Sequence, residues 1–180
     1  MENHPIMSFI NKLVNKTTYT FWDPTKPTYA EDYPFYCRNI PDISTIQTHG
    51  CNCAGLVNLI QLSKGGKVPG VLTNNYYAGG TYLWFEYLQA TECLEPVDIT
   101  KTYPAGSLLI RHYRDHEDQG HVAVVLTSGY LSQQKLLHCY ISKGITIDDT
   151  VLESHSWVED GYYEYICVDW FNRDIQDPAF

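Results

Sequence analysis

Long apolar runs are missing from this chain: the longest, Val122 to Leu126, has five residues, against the eighteen or so that a membrane-spanning helix needs. Also missing is the basic start and long apolar stretch of a secretory leader. Met1-Glu-Asn-His-Pro5 therefore reads as the start of a cytoplasmic chain, or of one already processed, released or virion-associated. Positive charge is scarce. Lys and Arg number 12 against 21 Asp and Glu, a net charge of −9, and from Ile145 onward nine carboxylates face only Arg173. Phosphate backbones would be repelled, so no nucleic acid partner is expected, and the acidity itself reads as a solubilising surface. Gly and Pro together supply only 21 of 180 residues and no 20–50-residue period is visible, which excludes collagen-like, disordered and solenoid chains. What remains is one globular domain.

Six cysteines are present, but no Cys-x-x-Cys pair. Cys51 and Cys53 stand one residue apart, too close for an ordinary bridge and too short for a zinc knuckle. The expectation is six reduced thiols, no structural metal and no cofactor.

The apolar spacing of Ile6, Met7, Phe9, Ile10, Leu13 and Val14 predicts a packing helix after Pro5. Residues 15 to 50 read as loop. A second helix is expected from Asn52 through Leu62, with Gly65 and Gly66 as its stop, and a third over Thr81–Ala90 with Thr81 as cap. Beyond Gly106 the pattern turns to β-prone runs at Ser107–His112, His121–Thr127, Lys135–Ile141, Ile145–Ile147 and Tyr162–Val168. Helices first and a meander of strands afterwards predict an α+β fold, an antiparallel sheet of about five strands with helices packed on one side.

Chemistry concentrates where Gly50-Cys-Asn-Cys-Ala-Gly55 enters the second helix. Cys53 falls at the helix N-terminus, where unpaired N–H groups and the helix dipole favour a thiolate and a developing oxyanion. A thiolate nucleophile works with an imidazole that stores and returns the proton. His121 opens an apolar strand and is the leading partner, its ring expected on the face of Ala123 and Val125 and against the cysteine helix. His138 lies inside the apolar run of the next strand, where a polar ring needs a partner, and His121 is the obvious one.

Three stretches resemble the NlpC-type cell-wall peptidases, a papain-like cysteine peptidase family: Asn52-Cys-Ala-Gly-Leu-Val57, Gly120-His-Val-Ala-Val-Val125 and Leu136-Leu-His138, with Pro104-Ala-Gly-Ser-Leu-Leu109 similar to the family's P-x-G-D-L segment. The resemblance implies residues 1–32 as a helix and extended segment packed on a peptidase domain over 33–180. It implies Cys53 as nucleophile, His121 as base and His138 as its orienting residue. Tyr36 corresponds to the family's cleft tyrosine. The family's Asp and Ser beside the cysteine, which help hold the free amino end of a stem peptide, are here Asn52 and Ala54, so the implied substrate is a peptide or a peptidoglycan fragment with a γ-D-glutamyl-type amide. Acyl transfer or thioester cleavage uses the same pair of groups, and a peptide- or glycan-binding module that has lost turnover would keep the same fold.

Other residues read as supporting features. Arg111-His-Tyr-Arg-Asp-His-Glu-Asp118 reads as a solvated connection, not a metal site. His155 sits in a polar loop. The aromatic set Tyr76, Tyr77, Tyr82, Trp84, Tyr87, Trp157, Tyr162 and Tyr163 is explained mostly by core and rim packing.

Overall fold

Apolar alternation in the second half of the chain builds one sheet. The computed structural model describes residues 6–23, 33–149 and 162–175. Strands β1 (Leu94–Pro96), β3 (Leu108–Arg111), β4 (His121–Val125), β6 (Lys135–Tyr140), β7 (Gly144–Asp149) and β8 (Tyr165–Cys167) form a six-stranded sheet in the order β1-β8-β3-β4-β6-β7. Every neighbouring pair is antiparallel. β2 (Thr102–Tyr103) and β5 (Gly129–Tyr130) make a separate two-stranded ribbon. The five β-prone runs of the sequence thus become β3, β4, β6, β7 and β8. The other three strands have two or three residues each, too short to show a period of two.

Among the described residues four α-helices accompany the sheet: α1 (Met7–Ile10), α2 (Ile43–His49), α3 (Cys53–Ser63) and α4 (Thr81–Ala90). The helix expected over residues 6–14 is cut short. Asn15 turns left-handed at φ 58°, and its N–H leaves the helix for the Ile145 carbonyl at 2.8 Å. Ile6, Met7, Ile10 and Leu13 are buried all the same, so the apolar spacing marks the core face even where it overstates the helix. α2 lies in the stretch read as loop. Ser44, Thr45 and Thr48 dilute its propensity, but Ile46 is buried and Gly50, at φ 80°, stops it. α4 has the expected bounds, although Gly80 holds the cap position and no side chain caps it.

The helices share a core with one face of the sheet. Leu56, Val57, Leu59 and Ile60 of α3 cluster with Leu108, Ile110, Val122, Val124, Leu137, Cys139 and Ile145. The alternate residues Leu109, Ala123, Val125, Leu136 and Ile166 pack on the opposite face against Tyr103, Leu131 and Tyr163. Asn58, buried within α3, donates its amide to the carbonyls of Phe35 and Gly79 and accepts from the Trp84 indole at 2.7 Å. That one side chain ties α3 to α4 and to the loop before α2. Gly55 lets the same loop approach, because a Cβ there would stand 2.0 Å from the Pro34 carbonyl oxygen.

Candidate active site

The tip of α3 is anchored before its first turn. Cys51 N–H donates to Thr18 O at 2.9 Å and Cys51 O accepts from Thr20 N–H at 2.8 Å, a short parallel bridge around Tyr19. Asn52 is the N-cap, its Oδ1 accepting the Gly55 N–H at 2.7 Å. This is the capping role its side chain suits, since an N-cap oxygen satisfies one of the orphan N–H groups of a helix start. Cys53 is then the first helical residue and is only 5% exposed.

The sulfur of Cys53 lies against β4 where β4 and β6 part. β4 and β6 are in register only at Val124↔Leu137 and Val125↔Leu136. Leu126 N–H bonds Lys135 O on β6, whereas Val125 N–H bonds Ser107 O on the β3 side. Alternation therefore turns the Val122 N–H toward β6 at a point where no β6 register partner remains. The Cys53 sulfur accepts that N–H, together with the Ala54 N–H, and has Thr81 Oγ1 at 4.0 Å. Thiol and imidazole are thereby brought to consecutive residues, with the sulfur on the Val122 amide and the ring on His121.

From His121 a file of hydrogen bonds runs across the strands. His121 Nε2 meets His138 Nδ1 at 3.1 Å, His138 Nε2 meets Asp148 Oδ2 at 3.0 Å, and Lys143 Nζ donates to Asp148 Oδ1 at 3.2 Å. All three members of the file are buried, with relative exposures of 5%, 1% and 8%. The carboxylate only accepts, so the proton between it and His138 sits on His138 Nε2. Where His138 carries only that proton, its Nδ1 accepts from His121 Nε2–H, and Nδ1 of His121 is then the basic nitrogen of the pair.

Asp148 is the functional candidate that sequence reasoning missed. The sequence pattern ends the β-prone run at Ile147, and the carboxylates beyond it read as surface. The available signal was alternation: Ile145 and Ile147 face the helices, which puts Thr146 and Asp148 on the face of His138, with Thr146 its register partner.

The electrostatics differ from the expected ion pair. Burial pushes the Cys53 thiol up to about 11, the nearby Cys139 adds to this, and the Val122, Thr81 and Ala54 donors oppose it only in part. Burial also holds His121 well below its ordinary range, helped by the charges of His138 and Arg111. Both groups rest neutral, because a helix tip covered by protein loses more solvation than its N–H groups return. One orientation is also corrected. The His121 ring does share a face with Ala123 and Val125, but that face packs on Tyr163, Tyr103 and Leu131, while α3 packs on Val122 and Val124. Cys53 thus meets β4 from the α3 side, at the Val122 amide, and the His121 ring lies on the other face.

Two adjoining clefts open here. One is lined by Cys53, Asn52 and Thr81 and by aromatic rings including Trp22, Tyr77 and Tyr82. The other is lined by His121, Arg111, Glu117, Tyr140 and Tyr162. Tyr19, Gln119 and Gly120 belong to both. Gly120, at φ +74°, turns the chain into β4 where a Cβ would strike the Arg111 carbonyl oxygen at 2.5 Å. Tyr36 lines neither cleft: it is buried, and its hydroxyl donates to Gly50 O at 2.5 Å. It fixes the turn before the cysteine, and Tyr19 is the tyrosine that stands between the clefts. Ala54 is buried beside Trp22 and Phe35 and contributes its backbone N–H rather than its methyl group.

The charged connection is knotted to itself. Arg111 and Arg114 both pair with Asp118, Arg114 and His112 both pair with Glu164, and among the described residues no group of three or more His, Cys, Asp or Glu is disposed to hold a metal. Of the aromatic set, Trp84, Tyr87 and Tyr163 are buried in the core, and Tyr77, Tyr82 and Tyr162 line the clefts. His155 and Trp157 lie outside the described residues. In comparisons with known proteins the chain matches no family model, no curated protein and no solved structure.

Proposed function

We propose that the protein is a cysteine hydrolase that cleaves a peptide or γ-glutamyl-type amide, by chemistry like that of the NlpC-type, papain-like peptidases. The observation that carries this reading is the hydrogen-bonded file His121–His138–Asp148 beginning one residue from the amide that holds the Cys53 sulfur. A buried chain of two imidazoles and a carboxylate, on the strand whose Val122 amide meets the Cys53 sulfur, is costly to keep for packing alone, since each polar atom needs its own partner.

In this mechanism a substrate carbonyl enters over the α3 tip and the Cys53 sulfur attacks its carbon. His121 Nδ1 takes the thiol proton as the S–C bond forms, so a resting thiolate is unnecessary. The imidazolium is stabilised through His138 by the Asp148 charge. The oxyanion is met by the Cys53 N–H in the first turn, where no intrahelical acceptor exists, and by the Tyr19 hydroxyl. His121 returns the proton to the departing amine, and water then hydrolyses the thioester. Asn52 and Ala54 cannot pair a substrate ammonium as an acid and a hydroxyl would, so peptidoglycan stem peptides are a substrate class to be tested within a wider set of peptide amides.

The test is incubation of wild-type protein and Cys53→Ala with muropeptides and a peptide-amide library, read by mass spectrometry. New cleavage products with the wild type and none with the variant are expected. Turnover retained by Cys53→Ala would falsify the mechanism. The neutral, nearly covered thiol favours one second reading, a peptide-binding module without turnover. Saturable binding with unaltered ligand in the same spectra is its signature, and an acyl product on an added amine would instead mark transfer.

A further inference from the structure

The sheet carries a second sulfur pair outside both clefts. Leu94 of β1 is in register with Cys167 of β8; Cys93, the residue before β1, packs against the same core cluster as Cys167, and the two sulfurs are hydrogen-bond neighbours. Cys93 is the half-exposed thiol of the chain, the other five being buried. Its sulfur accepts an N–H from Arg173 Nη1 at 3.3 Å and lies 3.4 Å from the Thr91 hydroxyl and carbonyl oxygens. The guanidinium is held in place by a second bond, Arg173 Nε donating to Val168 O at 3.0 Å. A cationic donor fixed on a half-exposed sulfur, with a second sulfur behind it, is the arrangement that oxidisable cysteines use.

We propose that Cys93 and Cys167 are an oxidation site, in which a hydroperoxide oxidises Cys93 and Cys167 resolves it as a disulfide joining β1 to β8. The Cys93 sulfur attacks the terminal peroxide oxygen. An S–O bond forms, the O–O bond breaks, and the departing oxygen leaves as water or alcohol with the thiol's proton. The Cys167 sulfur then attacks the Cys93 sulfenic acid, forming the S–S bond and expelling the oxygen as water with the Cys167 proton. Two thiols are oxidised by two electrons and one peroxide is reduced. The order follows from burial, which pushes the Cys167 thiol up to about 12, so that Cys93 meets the oxidant. The closed bond staples the edge strand of the sheet.

The test treats the full chain with one equivalent of hydrogen peroxide, blocks remaining thiols and maps all six cysteines by mass spectrometry. A Cys93–Cys167 disulfide is expected before loss of any other thiol. Cys167→Ser should trap a dimedone-reactive Cys93, and Arg173→Gln, an exposed substitution that leaves both thiols in place, should slow Cys93 oxidation about threefold or more. Prior oxidation of another cysteine, or an Arg173→Gln rate equal to wild type, overturns the assignment. Neither readout depends on turnover at Cys53, so failure here and failure of the hydrolase reading are separate results.

Discussion

The two faces of the sheet solve opposite problems. Toward the helices, Leu108, Ile110, Val122, Val124, Leu137, Cys139 and Ile145 form an unbroken apolar surface, and the gain there is burial alone. The other face is apolar through Leu109, Ala123, Val125 and Leu136 but changes, at the end where β4 parts from β6, into His121, His138, Thr146 and Asp148. Those four are buried as well. The difference shows that polarity was placed where strands diverge and, among the described residues, no α-helix packs on this face of the sheet. There the two rings and the carboxylate hydrogen-bond in file, and a cleft opens beside His121.

The sharpest way to break the contrast is to remove the first member of the polar file. His121→Ala should lower turnover of a cleaved amide about 10²- to 10⁴-fold, the usual worth of a positioned acid–base group, measured as kcat at saturating substrate. A drop below tenfold would show that the sulfur does not hand its proton to this ring.

Next in size is a deletion on the other face. Leu137→Ala removes a fully buried side chain from the helix-facing core and should cost about 2–5 kcal/mol of unfolding free energy, read by urea denaturation. Thr146→Ala, directly across from His138 on the polar face, should cost about 1 kcal/mol. Equal losses would mean that the two faces are not energetically distinct.

The contrast also explains what could be read from the sequence. Cys53, His121 and His138 stand out because each breaks an apolar pattern at a position where the pattern itself is strong. α3, α4 and five strands follow from the same periodicities. Asp148 was hidden, because an acid following Ile147 in a chain rich in carboxylates looks like surface unless the strand is carried two residues further. Tyr19 was hidden differently. Nothing local distinguishes it among fifteen tyrosines, and it reaches the site only through the long-range bridge to Cys51. The resting charge state was hidden too, since the helix tip argued for a thiolate while the burial that reverses it is a property of the assembled fold.

A smaller effect is expected at the far end of the file. Burial raises the Asp148 carboxyl, but the bonds from His138 and Lys143 outweigh it and hold it below its ordinary value. Asp148→Asn still accepts from His138 Nε2–H and keeps the tautomers, while losing the charge that steadies the imidazolium. Turnover should fall about tenfold, equal to about 1.4 kcal/mol of barrier, with KM unchanged. A loss as large as that of His121→Ala would make the residue a determinant of tautomer rather than of charge.

The smallest signal lies in the pH dependence of stability. His121 is depressed in the folded state, so folding favours the neutral ring. Its contribution is complete above the unfolded value of about 6.5 and is lost as pH falls from there toward the folded value. Asp148, also depressed, loses its contribution in the same direction at lower pH. Cys53, raised to about 11, acts oppositely: folding favours the thiol, and its contribution fades as pH climbs above the ordinary thiol value. Melting temperature should therefore fall on acidification from pH 7 to 5 and again above about pH 9. His121→Gln should flatten the first slope and Cys53→Ala the second, each leaving the other intact. If His121→Gln leaves the acid slope unchanged, the ring is not paying a burial cost in the folded state, and the polar end of the sheet is wetter than its hydrogen bonds imply.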